Sequence, residues 1–446
     1  MAVWNNVNIS YVLSKSRIDS EFYRKEDVEL EVFLNKICNG EKLKNIAKEV
    51  TERFNKNQCE EFQYNDIGNT DLISGSVNKN IIKSSEAPGR AAYINQIDDV
   101  LISSVRPNRN ANAIISENKN IQVGSNGFCN IRSNGLDPNY IFAFTKTKYF
   151  IATLVRATTS SMYPAVSNKD ILNVPFFIPG TRQTLAISEK VQKSRQLLLK
   201  SQKTFNQSSA LLEQELGLNN FARDENNFRV TQLTEMSSSK RFDAQCFKPE
   251  FLQYELFIRK NKNYDKLSGL LTGIANGNQQ EIQSNGKFPY MSIKDISGVD
   301  IISKGNVVTS KSAGHREDLL LAVTGATIGK IGIIHRYQAI SFSGDVIGLK
   351  VNKEKISPWY LLAVLNSQIG KTQFNRWITG STNGHLSPND VRKIIIPRLS
   401  KHNESLIEEW LKKSIENAIE SETILKQAIE QVEELIEEEA TKENAL

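Results

Sequence analysis

The sequence has few of the residues that build disulfide frameworks and metal centres. Its four cysteines, Cys38, Cys59, Cys129 and Cys246, lie far apart with no CxxC pair, and its four histidines are scattered. Such spacing favours neither a disulfide scaffold nor a zinc site. We therefore expect this chain to bind no metal and no cofactor of its own.

Long apolar runs are also absent. No stretch approaches the roughly 20 apolar residues of a membrane-spanning helix, and the N-terminal MAVWNNVNIS lacks the charged-then-apolar pattern of a secretory signal. We expect a cytoplasmic protein without membrane association. With 446 residues, the chain is long enough for two or more domains.

Arginine and aspartate are missing from the end of the chain. Residues 403–446 contain 13 Glu and 4 Lys, which is a net charge of −9. Because the whole chain carries +6, the preceding 402 residues carry +6 + 9 = +15. A basic body with an acidic tail is compatible with a polyanionic partner.

The chain contains one unit twice. Arg17-Ile-Asp-Ser-Glu-Phe-Tyr recurs as Arg241-Phe-Asp-Ala-Gln-Cys-Phe, at an offset of 224 residues. Further along, at an offset of 220, Asp137-Pro-Asn-Tyr corresponds to Ser357-Pro-Trp-Tyr and Ser167-Asn-Lys-Asp-Ile to Ser387-Pro-Asn-Asp-Val. The similarity extends over nearly the whole chain and predicts two copies of one fold.

Each copy combines strands with helices. Residues 100–106, 328–334 and 345–351 are short β-branched runs bounded by turn formers, which is typical of strands. In the DPNY and SPWY segments, Asp137 and Ser357 precede a proline, as expected for a helix N-cap followed by Pro at the first helical position.

Each copy ends in a long heptad pattern. In 185–216, Val191, Leu198, Phe205 and Leu212 recur every seven residues, and a similar seam runs through 405–438. Residues 181–216 hold six Lys or Arg against three Glu, whereas the last helix is acidic. We predict an antiparallel coiled coil of the two helices; the alternative is that each helix covers only its own domain.

These patterns predict an α+β protein of two repeated α/β domains, each followed by a long helix. The expected boundaries are 1–180 for the first domain, 181–218 for its helix, 219–400 for the second domain and 401–440 for its helix.

Two motifs invite an enzymatic interpretation. VTGATIGKIG at 323–332 resembles a phosphate-binding loop, but it has one residue too few between the glycines and Ile331 in place of the metal-binding hydroxyl. DPNY resembles the target-base motif of amino methyltransferases, but Asn139 replaces its second proline. We predict no catalytic residues in this chain.

Two pairs of loops are better candidates for function. SSVRPNRNANAII (103–115) occupies the repeat position of VTGATIGKIG, and ATTSSMYPAVS (157–167) that of TGSTNGHLS (379–387). Arg and Lys suit phosphates or guanine, while amide and hydroxyl side chains suit base edges and sugar–phosphate oxygens. The alternative is that Asn, Ser, Thr and Gly merely build turns. The predicted DNA-binding residues are Arg106, Asn108, Arg109, Asn110, Asn112, Ser160, Ser161, Tyr163, Thr324, Thr327, Lys330, Ser381, Thr382, Asn383 and His385.

The TGATIGKIGII strand–loop segment, the GSTNGHLSPNDV segment and two units each followed by a long helix resemble the specificity subunit of a type I restriction-modification system. The RxDxxxF/Y starts at Arg17 and Arg241 resemble the same broad family. The second half is the more typical, because the first half has RPNRNAN in place of the TGATIGK loop.

The resemblance implies that each domain contacts one half of a split double-stranded DNA site. The helices would set the spacing and dock methyltransferase subunits, which would bind S-adenosylmethionine and methylate adenine; restriction subunits join in some systems. Two alternatives remain open from the sequence: a fused methyltransferase or nuclease, and a coiled-coil adaptor that never touches DNA.

Overall fold

The computed structural model describes residues 5–15, 17–117, 119–159, 162–218, 221, 228–281, 283, 285–303, 308–380 and 384–444. The chain forms two compact units. The first comprises Met1–Leu199 with Ala418–Leu446, and the second comprises Lys200–Asn417. Both long helices are therefore divided between the units.

The helices alternate with the sheets along the chain. Their bounds are α1 Ile9–Lys15, α2 Lys25–Ile37, α3 Leu43–Ile46, α4 Pro138–Thr145, α5 Lys148–Ala157, α6 Asn168–Leu172, α7 Thr181–Leu216, α8 Leu233–Ser239, α9 Pro249–Asn261, α10 Leu267–Leu270, α11 Pro358–Asn366, α12 Gln368–Trp377, α13 Pro388–Val391 and α14 Lys401–Asn444.

The strands are short and mostly buried. Their bounds are β1 Ala47–Glu49, β2 Glu61–Asn65, β3 Ile81–Lys83, β4 Ala91–Asn95, β5 Val100–Ser103, β6 Ala113–Ile114, β7 Gln122–Ser125, β8 Phe128–Ser133, β9 Tyr264–Lys266, β10 Leu271–Asn276, β11 Phe288–Met291, β12 Ile296–Ser297, β13 Asp300–Ile301, β14 Val308–Thr309, β15 Gly314–His315, β16 Leu319–Ala322, β17 Ile331–Ile333, β18 Ala339–Phe342, β19 Val346–Val351 and β20 Ile395–Pro397.

The two units share one sheet topology. In the first unit the sheets have the orders β1-β8-β5-β6 and β3-β2-β7-β4. In the second unit the orders β10-β19-β16-β17 and β14-β11-β18-β15 repeat them, with β13 and β12 added beyond β17. Strand directions also agree: β2 runs parallel to β7 as β11 does to β18, and the flanking pairs are antiparallel. The predicted repeat is therefore a repeat of fold.

The same side chains begin the equivalent helices. Asp137 accepts a hydrogen bond from the backbone of Asn139 at the start of α4, and Ser357 accepts one from Trp359 at the start of α11. The tyrosines that follow, Tyr140 and Tyr360, are fully buried, and their hydroxyls donate to backbone oxygens at 2.8 Å. Both predicted N-caps are confirmed.

The RxD motif has a structural role in each unit. Arg17 pairs with Asp19 and donates to the carbonyl oxygens of Ala157 and Thr158, both at 3.0 Å. Arg241 pairs with Asp243 and donates to the equivalent carbonyls of Trp377 and Ile378. Because these carbonyls have no partner within a helix at its C-terminal end, the arginine fixes the end of α5 or α12 and the loop that follows.

The long helices pair antiparallel within each unit. In the first unit Lys190 contacts Gln431 on α14 and Ser194 contacts Ser421. In the second unit Ser201 contacts Ser414, and the Ser208 hydroxyl donates to the Ile407 carbonyl. The predicted antiparallel pairing is thus present.

The contact line is more polar than the apolar heptads suggest. Ser194, Ser201, Ser208, Ser414 and Ser421 are all buried, whereas Leu198 and Phe205 are only half-buried. Small side chains let two backbones approach closely. In the first unit, Leu425, Ala428, Val432 and Ile436 of α14 also join the core cluster. Of the helices that the structure describes, none is both long enough and apolar enough to cross a membrane.

Candidate nucleic-acid interface

Two loops of the first unit lie side by side. The arginine loop (residues 104–112) follows β5, and the tyrosine loop (residues 158–167) follows α5. Val105 bridges to Ala165, the amide of Val166 donates to the Ser104 carbonyl at 2.9 Å, and the amide of Arg106 donates to the Pro164 carbonyl at 2.7 Å. These bonds join the loops into one surface.

The second unit joins its loops at the equivalent residues. The glycine loop (residues 323–330) lies between β16 and β17, and the histidine loop (residues 379–387) follows α12. Thr324 bridges to His385, and the amide of Leu386 donates to the Val323 carbonyl at 3.0 Å. Within each unit, the structure therefore brings together one loop from each of the two predicted pairs.

The arginine and glycine loops share a backbone shape. Arg106 and Asn110 have positive φ angles of 49° and 53°, and Gly325 and Gly329, also four residues apart, have 67° and 87°. Glycine adopts this region freely, whereas a side chain makes it unfavourable. The first unit thus carries an arginine where the second has glycine, the residue that best suits this backbone conformation.

The arginine loop presents unpaired positive charge. The Arg106 guanidinium lies 5.4 Å from the centre of the Tyr163 ring, and Asn108, Arg109 and Tyr163 are exposed. Across the part of the chain that the structure describes, neither Arg106 nor Arg109 forms a salt bridge, whereas Arg156 and Arg376 are bound to glutamates. Free, clustered guanidinium groups are suited to a phosphate backbone or a guanine edge.

Among the predicted residues of the second unit that the structure describes, Lys330 and His385 are exposed. Lys330 forms no salt bridge to any described residue. Thr324 donates to the Asp345 carboxylate at 2.8 Å. The Thr327 hydroxyl is buried without a hydrogen-bond partner among the described residues, so it faces the protein.

Two predicted residues of the arginine loop face inward. Asn112 is 1% exposed; its amide oxygen accepts from Ser103 and its amide nitrogen donates to the Thr145 carbonyl. Asn110 donates to the Lys146 carbonyl, and its own side-chain oxygen is buried. Both amides shape the loop from beneath, so neither is a candidate for DNA contact in this conformation. The predicted Ser160, Ser161, Ser381, Thr382 and Asn383 lie outside the described residues.

Sequence reasoning missed two residues beneath the loops, Lys146 and Asn366. Lys146 directly follows the last residue of α4, and Asn366 is the last residue of α11; each donates to a backbone carbonyl in or next to a loop. Burial lowers the pKa of Lys146 to about 7. No local pattern marks these residues, because their partners are distant in sequence; alignment of the two halves with each other would have paired them.

The geometry also removes both enzymatic interpretations. A phosphate-binding loop leads from a strand into a helix, whereas the glycine loop leads into β17, which is antiparallel to β16. In DPNY, Asn139 is mostly buried and the Tyr140 ring is fully buried, so neither can hold a flipped base. Both motifs are parts of the fold.

Comparison with known proteins finds a similarity in the second half of the chain. Residues 273–431 match the family model of the type I restriction modification DNA specificity domain. No curated protein matches the sequence.

Three solved structures are similar over most of the chain. The HsdS subunit from Thermoanaerobacter tengcongensis is 17% identical, with 87% of this chain and 95% of that chain covered and a TM-score of 0.32. A structure of complex assembly and conformational transition of the type I R-M system is 16% identical (90% and 96% covered, TM-score 0.32). The type I restriction-modification S subunit from M. genitalium is 13% identical (90% and 94% covered, TM-score 0.40).

Because these TM-scores are all below 0.5, the three structures carry no argument about function, which depends on the match of residues 273–431. The matched domain is a DNA specificity domain, in agreement with the predicted function. Residues 273–431 are therefore similar to a type I restriction modification DNA specificity domain.

Proposed function

We propose that the chain reads a bipartite duplex DNA sequence, with one half-site for each unit, and directs adenine methyltransferase subunits to it. The chain selects the sequence and its partners perform the chemistry. S-adenosylmethionine would bind to those partners, and a restriction subunit would join them where the system has one.

One observation carries the proposal: the first unit has the topology of the matched domain. The matched segment starts in β10 and ends in α14. The first unit repeats its strand orders, its helix caps at Asp137 and Ser167 and the bridge between its loops. A second DNA specificity domain in the same chain supports a second half-site.

The two units differ where they would read sequence. The first presents Arg106, Asn108, Arg109 and Tyr163, whereas the second presents Lys330 and His385. Arginine can bond guanine bidentately, which lysine cannot do in the same geometry. We therefore expect two different half-site sequences.

The helices supply the other part of the proposed function. At roughly 1.5 Å per residue, α7 with 36 residues is about 54 Å long. We assign to α7 and α14 the spacing of the half-sites, and to their solvent faces the docking of the methyltransferase subunits.

The test is enrichment of sequences from a randomised duplex pool by the purified full-length chain. We expect two fixed blocks separated by an unspecified spacer of constant length. Binding should also weaken steeply with salt, because phosphate contacts release counterions. A chain that enriches no sequence and whose weak binding ignores salt would instead be an adaptor.

A further inference from the structure

A buried lysine joins two surface segments of the first unit. The Lys146 ammonium donates to the Asn110 carbonyl at 2.9 Å and to the Leu72 carbonyl at 3.0 Å. The first carbonyl is in the arginine loop; the second belongs to the turn at residues 71–75. Asn110 donates back to the Lys146 carbonyl at 3.0 Å, so the loop is held by bonds in both directions.

The turn is itself well ordered by hydrogen bonds. The Asp71 carboxylate accepts from the amide and hydroxyl of Ser74 at 2.7 and 2.8 Å. Leu72 and Ile73, at its tip, are 48% and 47% exposed. Lys146 therefore holds a rigid, partly apolar turn beside the unpaired arginines.

A buried position beneath a loop is unfavourable for a lysine side chain. Lys146 is 5% exposed, and an ammonium group in a buried site costs free energy unless its hydrogen bonds compensate. Methionine would fill a similar volume without that cost. What lysine adds is a donor that reaches two backbone carbonyls of different segments.

The second unit has a counterpart at the same repeat position. Asn366 is 220 residues from Lys146; it is the last residue of α11, and Lys146 directly follows the last residue of α4. Its side-chain amide donates at 3.1 Å to the carbonyl of Ile331, the first residue of β17 directly after the glycine loop, and at 3.1 Å to the Leu362 carbonyl of its own helix. From equivalent positions, two different side chains thus bond a carbonyl within the arginine loop and a carbonyl directly after the glycine loop.

We propose that Lys146 and Asn366 are positioning residues that set, through backbone carbonyls, the loop with which each unit reads its half-site. The inference rests on the proposed function and deepens it. Arg106 and Arg109 supply attraction to DNA, while Lys146 fixes where they point. Loss of either positioning residue should therefore reduce base discrimination more than overall affinity.

The experiment compares Lys146→Met and Asn366→Leu with the wild-type chain in enrichment from a randomised duplex pool. Leu154→Met is the matched control, because Leu154 is fully buried on the neighbouring helix and makes no polar contact. Thermal unfolding of each variant reports folding. The affinity of each variant for a duplex of unselected sequence, measured at low salt, reports the contacts of charged side chains with DNA phosphates.

We expect Lys146→Met to lower the enrichment of one block about tenfold and to leave the other block unchanged. Asn366→Leu should lower the enrichment of that other block and leave the first unchanged. Leu154→Met should preserve both blocks. Because destabilising one unit alone would also lower only its own block, the comparison is restricted to variants that unfold at the wild-type temperature. If Lys146→Met does not fold, Lys146→Gln, which keeps one donor, and Asn366→Leu still test the proposal.

Folded variants that keep both blocks, or that weaken both equally, would overturn the inference. A wild-type chain that enriches no block at all would instead contradict the proposed function on which it rests.

Discussion

Ser194 and Ser421 hydrogen-bond to each other's backbones across the paired helices of the first unit. The Ser194 hydroxyl donates to the Ser421 carbonyl at 2.9 Å, and the Ser421 hydroxyl donates to the Ser194 carbonyl at 2.7 Å. Such reciprocal bonds require close backbones, which only small side chains permit. The serine positions thus fix the register of the pair, as polar residues do in other coiled coils.

Ser194→Leu should destabilise the first unit by ~1–3 kcal/mol, because a larger side chain at a tight crossing forces the helices apart. Gln192→Leu, at an exposed position two residues away, is the control and should change stability little. Urea unfolding measures both. Equal stability of the two variants would show that the crossing is loosely packed.

Arg109→Ala should weaken DNA binding through the first unit, and Lys330→Ala through the second. A lost base contact costs ~1–3 kcal/mol and changes specificity, whereas a lost phosphate contact weakens all sequences and lowers the salt slope by ~0.9. Titrations at several salt concentrations separate the two cases, with the exposed Lys83→Ala as control. Wild-type affinity and slope in both variants would mean that these loops face away from DNA.

At Arg106, the effect of the backbone conformation on stability can be measured separately from the effect of the guanidinium on DNA binding. Because its φ is 49°, Arg106→Gly should be more stable than Arg106→Ala by ~1 kcal/mol. Both variants lack the guanidinium and should bind DNA equally weakly. Denaturant melts and binding titrations on the pair check this; if the alanine variant were the more stable, the left-handed backbone would not cost what we infer.

The structural features that the sequence predicted are those encoded locally or by repetition. Asp137 and Ser357 precede a proline and do cap helices, and residues 345–351 include the strand β19. The loop pairs followed from alignment of the halves. In contrast, the inward orientation of Asn112 depends on its contacts with Ser103 and Thr145. The role of Lys146 depends on its contact with Leu72. No pattern in the neighbouring residues of the sequence predicts these contacts.

Lys146 also predicts a pH dependence of stability. Its pKa is about 7 in the folded chain, against 10.5 for an ordinary lysine. Between these values the unfolded chain binds more protons, so the free energy of unfolding should rise with pH from about 7 to about 10.5. The contribution is fully present above the unfolded pKa and is lost as pH falls through the folded one. Lys146→Met should flatten this rise; identical pH profiles would show that the lysine is solvated.

Lengthening the helices should lengthen the spacer between half-sites. Paired seven-residue insertions, after Gln207 in α7 and before Glu408 in α14, preserve the heptad phase and keep Ser208 near Ile407. They add roughly 10 Å at ~1.5 Å per residue, or about three base pairs at ~3.4 Å each. A spacer that stays the same in a folded, active complex would show that the helices do not set it.

The most direct test of two specificity domains in one chain is the methylation motif in cells that express it with its methyltransferase subunit, read by sequencing modified DNA. We predict one motif of two fixed blocks around a spacer of constant length, and no methylation by the chain without its partner. A single contiguous motif, or site-specific methylation by the chain alone, would contradict the account.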